Sequence, residues 1–297
     1  MPVAADSQTL YLVDASIYIF RAWYSVPPEF SNAAGEPTNA VYGFAGFLCD
    51  LLETQQPDNI AIAFDEALES SFRNDIYPAY KANREPAPEQ LLRQFQWCRQ
   101  IAELLGLPCY SDKRFEADDL IASMALQGRE SDLRISVISA DKDLTQIVRE
   151  HDHWWDFARN VRLDRLAVKQ KFGVFPEQIA DYLALAGDAV DNIPGIPGIG
   201  PKTAAALLAH FTTLDALLER VDEVAWLSLR GAKGIHGKLC RHAAAARLAR
   251  QLTGCHEQAL PDQVDLQRHC GDAGGMERFF DELGFGRTLR ARCQALV

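Results

Sequence analysis

The sequence predicts an α/β fold, a mostly parallel central sheet flanked by helices, followed by a helical lobe, and three observations lead there. The first half alternates short apolar, β-branched runs with helical periodicity, which is how a parallel sheet with crossover helices is written. Its three clearest runs, TLYLV before Asp14, NIAIAF before Asp65 and RISVISA before Asp141, each end in an aspartate. From Pro176 onward such runs thin out and helical spacing takes over, so the chain divides into an α/β core over 1–174 and a helical lobe over 175–297.

The strand ends come first. In an open parallel sheet the carboxyl ends of the strands line one edge, and ligands sit there where the strand order reverses. Asp14, Asp65 and Asp141 would therefore converge although distant in sequence. Each taken alone could instead be a helix N-cap satisfying backbone N–H groups.

Between Asp65 and Glu116 runs SSFRNDIYPAYKANREPAPEQ, with Pro78, Pro86 and Pro88 and the cations Arg73, Lys81 and Arg84. Prolines oppose one continuous helix here, so a mobile surface element is expected. Next, Glu116, Asp118 and Asp119 stand at the mouth of an apolar helical pattern. At about 100° per residue, Glu116 and Asp118 would diverge within a helix, so they serve one pocket only if the helix begins here with Glu116 still extended. A capping role needs fewer acids, and like charges this close repel unless a cation lies between them.

After the third strand, Asp141 and Asp143 lie two apart on an extended segment and share a face. In GDAVDN, Asp188 and Asp191 lie three apart and would share a face of a helix. PEQIADYLALAG is a helix closed by Gly187. GIPGIGPKTAAALLAHF then gives a glycine-rich loop feeding a second helix with Pro201 at its start.

A net charge of -11 argues at first against a polyanionic partner. Charge is segregated, however: from Val224 to His256 there are six Lys or Arg and no Asp or Glu. Seven scattered cysteines, never spaced CxxC, read as reduced thiols rather than as zinc ligands or a disulfide framework. With no leader-like start and no long apolar run, a soluble, cytoplasmic protein without membrane contact is expected.

Nine acids thus have one destination: Asp14, Asp65, Glu116, Asp118, Asp119, Asp141, Asp143, Asp188 and Asp191. Oxygen-only ligation selects hard ions, Mg2+ or in its place Mn2+. Nine exceed the needs of one ion, and two ions roughly 3.5–4 Å apart suit phosphodiester hydrolysis. Gly195, Gly198 and Gly200, then Lys202 and Thr203 at a helix start, form a loop whose N–H groups can approach a phosphate. It is not a Walker A loop, because Pro201 separates Gly200 from Lys202. Sequence-blind contact with a DNA backbone fits better, the bland alternative being a simple helix–helix turn.

Together these motifs resemble the 5′ nuclease family of flap endonucleases and 5′-3′ exonucleases, in particular the bacterial type that forms the N-terminal domain of DNA polymerase I. LVDA at 12–15, NAVYGF at 39–44, FD at 64–65, SFRNDIYPAYKANR at 71–84, EADD at 116–119, ADKDL at 140–144, GDAVDNIPGIPGIGPKTA at 187–204 and LARQL at 248–252 occur in family order. Phe115 stands where many members carry Tyr and Ala15 where Gly is frequent; neither change removes an acid.

The resemblance implies a PIN-like nuclease core with a helical arch over about 70–92 and a helix-turn-helix-type module over about 187–212. It implies that all nine acids hold metal, the ion pair being divided so that Asp143, Asp188 and Asp191 serve the second ion. Arg73, Tyr77, Tyr80, Lys81 and Arg84 would belong to the arch and gateway for a single-stranded 5′ end, with Lys81 and Arg84 gripping the scissile phosphate beside Asp141. The Gly195–Thr203 loop would hold duplex backbone and a K+ ion. The implied activity is metal-dependent cleavage of DNA near 5′ ends or flaps by a monomer, with a replication or repair polymerase as partner. The competing readings are a PIN-type ribonuclease and a non-catalytic, structure-specific DNA-binding scaffold.

Overall fold

β1 (Thr9–Asp14) is buried at every position, and its alternate residues divide between two apolar layers. Leu10 and Leu12 face one layer, Tyr11 and Val13 the other, as the two-residue period of a strand requires. The computed structural model describes residues 8–66 and 70–297. Among them the sheet has six strands in the order β3-β2-β1-β4-β5-β6, with β2 (Asn59–Ala63), β3 (Cys109–Tyr110), β4 (Arg134–Ile138), β5 (His153–Asp156) and β6 (Val161–Leu163). All neighbours are parallel except β5 and β6. The three predicted strands are β1, β2 and β4, adjacent at the centre. The other three are too short to carry a clear alternation.

The chain leaves β1 for β2 on one side and later returns to β4 on the other, so the order reverses beside β1. Helices α1 (Ala15–Ser25), α2 (Asn39–Gln55) and α4 (Glu89–Leu104) cover one face. α5 (Ala117–Glu130) covers the other. Between them α3 (Phe72–Ile76) is short, and α6 (Arg165–Phe172) follows the sheet. Within the expected arch only α3 and the start of α4 are helical; residues 77–88 run as turns and extended chain around Pro78, Pro86 and Pro88.

The remaining helices are α7 (Ile179–Ala186), α8 (Pro201–Phe211), α9 (Leu214–Glu219), α10 (Ala232–Thr253), α11 (Ala273–Leu283) and α12 (Arg287–Gln294). α7 to α10 share one continuous apolar cluster with α5 and β1, so the core and the helical lobe are not separately cored. α11 and α12 lie elsewhere: Met276, Phe279, Phe280, Leu283 and Leu289 pack with α2 and α4 on the opposite face of the sheet. α11 and α12, at the end of the stretch expected as a helical lobe (175–297), thus pack on the sheet face opposite α7 to α10. The amphipathic pattern of α11 and α12 shows that they bury one face but not against which partner. No described helix is long and apolar enough to cross a membrane.

Candidate active site

The carboxyl edge of β1, β2 and β4 carries the predicted aspartates. Asp14 is the last residue of β1, Asp65 lies two residues beyond β2, and Asp141 lies three beyond β4. Glu116 is the N-cap of α5 and is extended (φ -78°, ψ 164°), the condition under which it and Asp118 share a pocket. Asp118 feels Asp141, Asp14 and Glu116, and Asp14 feels Asp141 and Asp65, so acids from four segments meet.

Their electrostatics show the crowding. Burial pushes the Asp14 carboxyl up to about 7, with Asp141 and Asp65 adding to the rise and a hydrogen bond donated by Ser139 opposing it. Burial and then Asp141 push Asp143 up to about 8. Burial and then Asp141 raise Asp118 as well, while Asp141 itself is raised by burial and then Asp191, against a hydrogen bond from the Asp143 N–H. Asp188 goes the other way: burial would raise it, but Lys142, whose Nζ stands 2.8 Å from Oδ2, and the Val190 N–H outweigh that and lower it.

Asp188 and Asp191 do not share a helix. The segment after α7 closes as a tight turn in which Asp188 and Ile193 pair backbone to backbone. Gly187 (φ +85°) ends the helix in a conformation other residues rarely adopt. Asp191 instead faces the 77–84 stretch. Arg84 donates to Asp191 Oδ1 at 2.6 Å, Tyr80 Oη to Oδ2 at 3.2 Å, and the Lys81 N–H to the Asp191 carbonyl at 3.0 Å. Lys81, in the left-handed region at φ +53°, sends Nζ to Glu116 Oε2 at 2.8 Å, where Tyr80 Oη also donates at 2.9 Å. Lys81 and Arg84 thus stand among the acids. Tyr80 does too, but its side chain is buried at 3% exposure, so its ring is not a surface for a base to stack on. Tyr77 is half-buried against the same apolar cluster.

Arg73 and Asp119 are placed differently from the expectation. Arg73 is 3% exposed and Asp119 fully buried, and they form a two-pronged ion pair at 2.6 and 2.7 Å. Arg73 has no face toward solvent for a nucleic acid. Asp119 also accepts the Glu116 N–H, completing the capping box that closes α5.

Among the described residues no three His, Cys, Asp or Glu side chains already stand close enough to grip one ion. The donor set nevertheless suits a hard cation: oxygen-only, crowded, and with Asp143 Oδ1 buried without a hydrogen bond, its nearest cation being Lys142 Nζ at 3.3 Å. Loading would require the carboxylates to turn away from Lys81, Lys142 and Arg84.

Two polar groups escaped the sequence reading. Ser139, immediately beyond β4, donates to Asp14 Oδ2 at 2.8 Å and accepts the Asp141 N–H at 2.9 Å, tying two strand ends together. Lys142 links Asp143 to Asp188 across the two segments that carry them. A polar residue just past an apolar strand, and a lysine between two aspartates, were the available signals.

The glycine-rich loop precedes α8, which starts at Pro201 with Gly200 as N-cap. A Cβ on Gly195 would fall 2.3 Å from the Ala186 carbonyl carbon, so the loop can return against α7 only with glycine there. Gly198 (φ +76°), Lys202 and Pro197 are exposed, Gly200 and Thr203 half-buried. Lys238 of the basic helix α10 reaches over Gly198: its Nζ is 2.2 Å from where a Cβ there would lie. The loop and α10 therefore form one basic surface.

Acids gathered at the carboxyl edge of a parallel sheet, with cations among them and a basic helical lobe alongside, are the arrangement of a nuclease. The profile "5'-3' exonuclease, N-terminal resolvase-like domain" matches residues 9–173, and "5'-3' exonuclease, C-terminal SAM fold" matches 174–270. The chain belongs to the 5′-3′ exonuclease family. It is 40% identical over 264 residues to DNA polymerase I of Rhizobium leguminosarum, covering 86% of this chain and 25% of the polymerase. It thus spans about a quarter of that relative's length. In fold it is similar to T5 5′-exonuclease, solved with zinc bound (TM-score 0.69, 17% identity, covering 97% of this chain and 98% of that one). It is also similar to the catalytic core of Rad2 in complex with DNA substrate (TM-score 0.66, 15% identity, covering 100% and 96%).

Proposed function

We propose that this chain hydrolyses phosphodiester bonds of DNA near 5′ ends or flaps, using two divalent ions, Mg2+ or Mn2+. The observation that carries this is the meeting of Asp14, Asp65, Glu116, Asp118, Asp141, Asp143, Asp188 and Asp191 around Lys81 and Arg84 at one sheet edge. Asp14, Asp65, Glu116, Asp118 and Asp141 would hold one ion, and Asp143, Asp188 and Asp191 the other. When bound, such ions lower the pKa of a water and neutralise the charge on the phosphate and the leaving oxygen.

The chain's own residues do the rest. Lys81 and Arg84, released from Glu116 and Asp191, orient and neutralise the scissile phosphate. The Gly195, Gly198, Gly200, Lys202 and Thr203 loop, with Lys238 beside it, holds duplex backbone without reading sequence. K+ would bind main-chain carbonyls of this loop. The DNA polymerase I relatives suggest a polymerase as partner, and the chain would act as a monomer.

A 5′-flap duplex labelled at the 5′ end, incubated with Mg2+ or with EDTA, tests the reading. The expected result is a short labelled product in Mg2+ only, its 3′ terminus a hydroxyl, and no product from Asp141→Asn although that variant still binds the flap. Undiminished cleavage by Asp141→Asn would overturn it. Equal flap binding in both conditions with no product would leave a DNA-binding scaffold, and preferential cleavage of single-stranded RNA a ribonuclease.

A further inference from the structure

In the buried pair between α3 and α5, both carboxylate oxygens of Asp119 are doubly engaged. Asp119 Oδ1 accepts from Arg73 Nη2 at 2.7 Å and from the His256 N–H at 2.8 Å; Oδ2 accepts from Arg73 Nη1 at 2.6 Å and from the Glu116 N–H at 3.1 Å. A carboxylate offers about four lone-pair sites, so none is left for a metal ion. Arg73 is held on all three nitrogens: besides the two bonds to Asp119, Nε donates to the Leu252 carbonyl at 2.9 Å and Nη2 to the Gly254 carbonyl at 2.8 Å, while Nη1 lies at ion-pair distance, 3.6 Å, from Glu116 Oε2.

These partners belong to two helix ends. Leu252 is in the last turn of α10 and Gly254 is its C-cap, so their carbonyls are among those the helix leaves unpaired, at its negative pole. Asp119 is at the third position of α5, where an anion meets the positive pole. The pair therefore joins the N-terminal end of the helix at whose mouth Glu116 and Asp118 stand to the C-terminal end of the 22-residue basic helix that reaches the glycine-rich loop. At 1.5 Å per residue α10 is about 33 Å long, and a tilt of roughly 5° at this end would move the other by about 3 Å.

We infer that Asp119 is not a metal ligand and that Arg73 and Asp119 together are positioning residues, setting the distance and angle between the surface that holds duplex DNA and the acids that cut it. This rests on the proposed nuclease reading for its consequence, though not for its geometry. Losing the pair leaves the ions bound but lets the scissile phosphate slip by a nucleotide or more.

Two measurements on Asp119→Asn test this, each alongside the unaltered protein and Asp118→Asn. The first is Mn2+ titration by calorimetry without DNA. Asp119→Asn keeps the same number of ions with affinity within about threefold, whereas Asp118→Asn loses about tenfold or more. The second is product mapping on a 5′-flap duplex at saturating Mg2+. The unaltered protein cuts mainly at one position and Asp119→Asn spreads its cuts over neighbouring bonds with a lower kcat. If Asp119→Asn does not fold, the paired replacement Arg73→Met with Asp119→Leu removes both charges together, which a buried site tolerates better than removing one, and is read the same way. Loss of an ion by either variant, or an unshifted single cut at full rate, overturns the inference. Failure of the unaltered protein to cut in Mg2+ would instead defeat the nuclease reading, and the calorimetry would still decide whether Asp119 is a ligand.

Discussion

Lys142 Nζ stands 2.8 Å from Asp188 Oδ2, bridging the segment after β4 to the turn after α7. Because it also lies 3.3 Å from Asp143, it neutralises part of the charge that a divalent ion would neutralise. An ion and this ammonium therefore compete for the same carboxylates. Lys142→Met is expected to lower the melting temperature in EDTA and to tighten Mn2+ binding by roughly threefold or more. Weaker Mn2+ binding by the variant in calorimetry would show that the lysine supports the ion instead of opposing it.

The acid cluster makes metal-free stability depend on pH in a direction opposite to that of an ordinary salt-bridged carboxylate. Asp14 and Asp143 are raised to about 7 and about 8 from the ordinary carboxyl value of 3.8, chiefly by burial. A raised carboxyl contributes stability below its unfolded value and loses that contribution as pH rises through the folded one. In EDTA the melting temperature should therefore fall between about pH 4 and about pH 8, and Mg2+ should restore it at the upper end. Thermal scans across this range check both halves; a flat or rising profile in EDTA would contradict the burial of these groups.

Two glycines of one loop are expected to differ sharply. Gly195→Ala drives a Cβ to 2.3 Å from the Ala186 carbonyl carbon, where backbone must move, while a Cβ on Gly200 meets nothing within 4 Å. Overpacking of this kind costs about 1–3 kcal/mol. Gly195→Ala should lower the denaturation midpoint accordingly and weaken duplex binding, with Gly200→Ala close to the unaltered protein in stability. Equal midpoints for the two would mean that the loop relaxes freely away from α7.

What the sequence made legible follows a physical division. Strand ends are readable because β1, β2 and β4 are buried on both faces and so appear as unbroken apolar runs, each stopping where the chain reaches the polar edge at Asp14, Asp65 and Asp141. The extended Glu116 followed from helix geometry on the condition that it and Asp118 serve one pocket. That both oxygens of Asp119 are engaged within the fold could not be read, since the residue that engages them, Arg73, is 46 residues away. The helix expected for Asp188 and Asp191 failed for a local reason: Gly187 ends α7, and the turn beyond it is closed by the Asp188–Ile193 backbone pair. The docking of α11 on α4 and of α12 on α2 was invisible because amphipathicity names a buried face and not its partner.

Tyr80 separates a base-stacking role from an acid-holding one. Its hydroxyl donates to Glu116 Oε2 at 2.9 Å and is 3.2 Å from Asp191 Oδ2, and its ring is packed in the core. Tyr80→Phe keeps the ring and removes only the donor, so it should cost about 1 kcal/mol of stability. Flap affinity in EDTA should stay unchanged, because no part of the ring faces solvent. The Mg2+ concentration for half-maximal cleavage should shift, because Glu116 and Asp191 lose a shared donor that fixes their orientation. Binding and metal-dependence curves for the two proteins decide the matter: weakened flap binding with an unmoved Mg2+ midpoint would return Tyr80 to the DNA-contacting set.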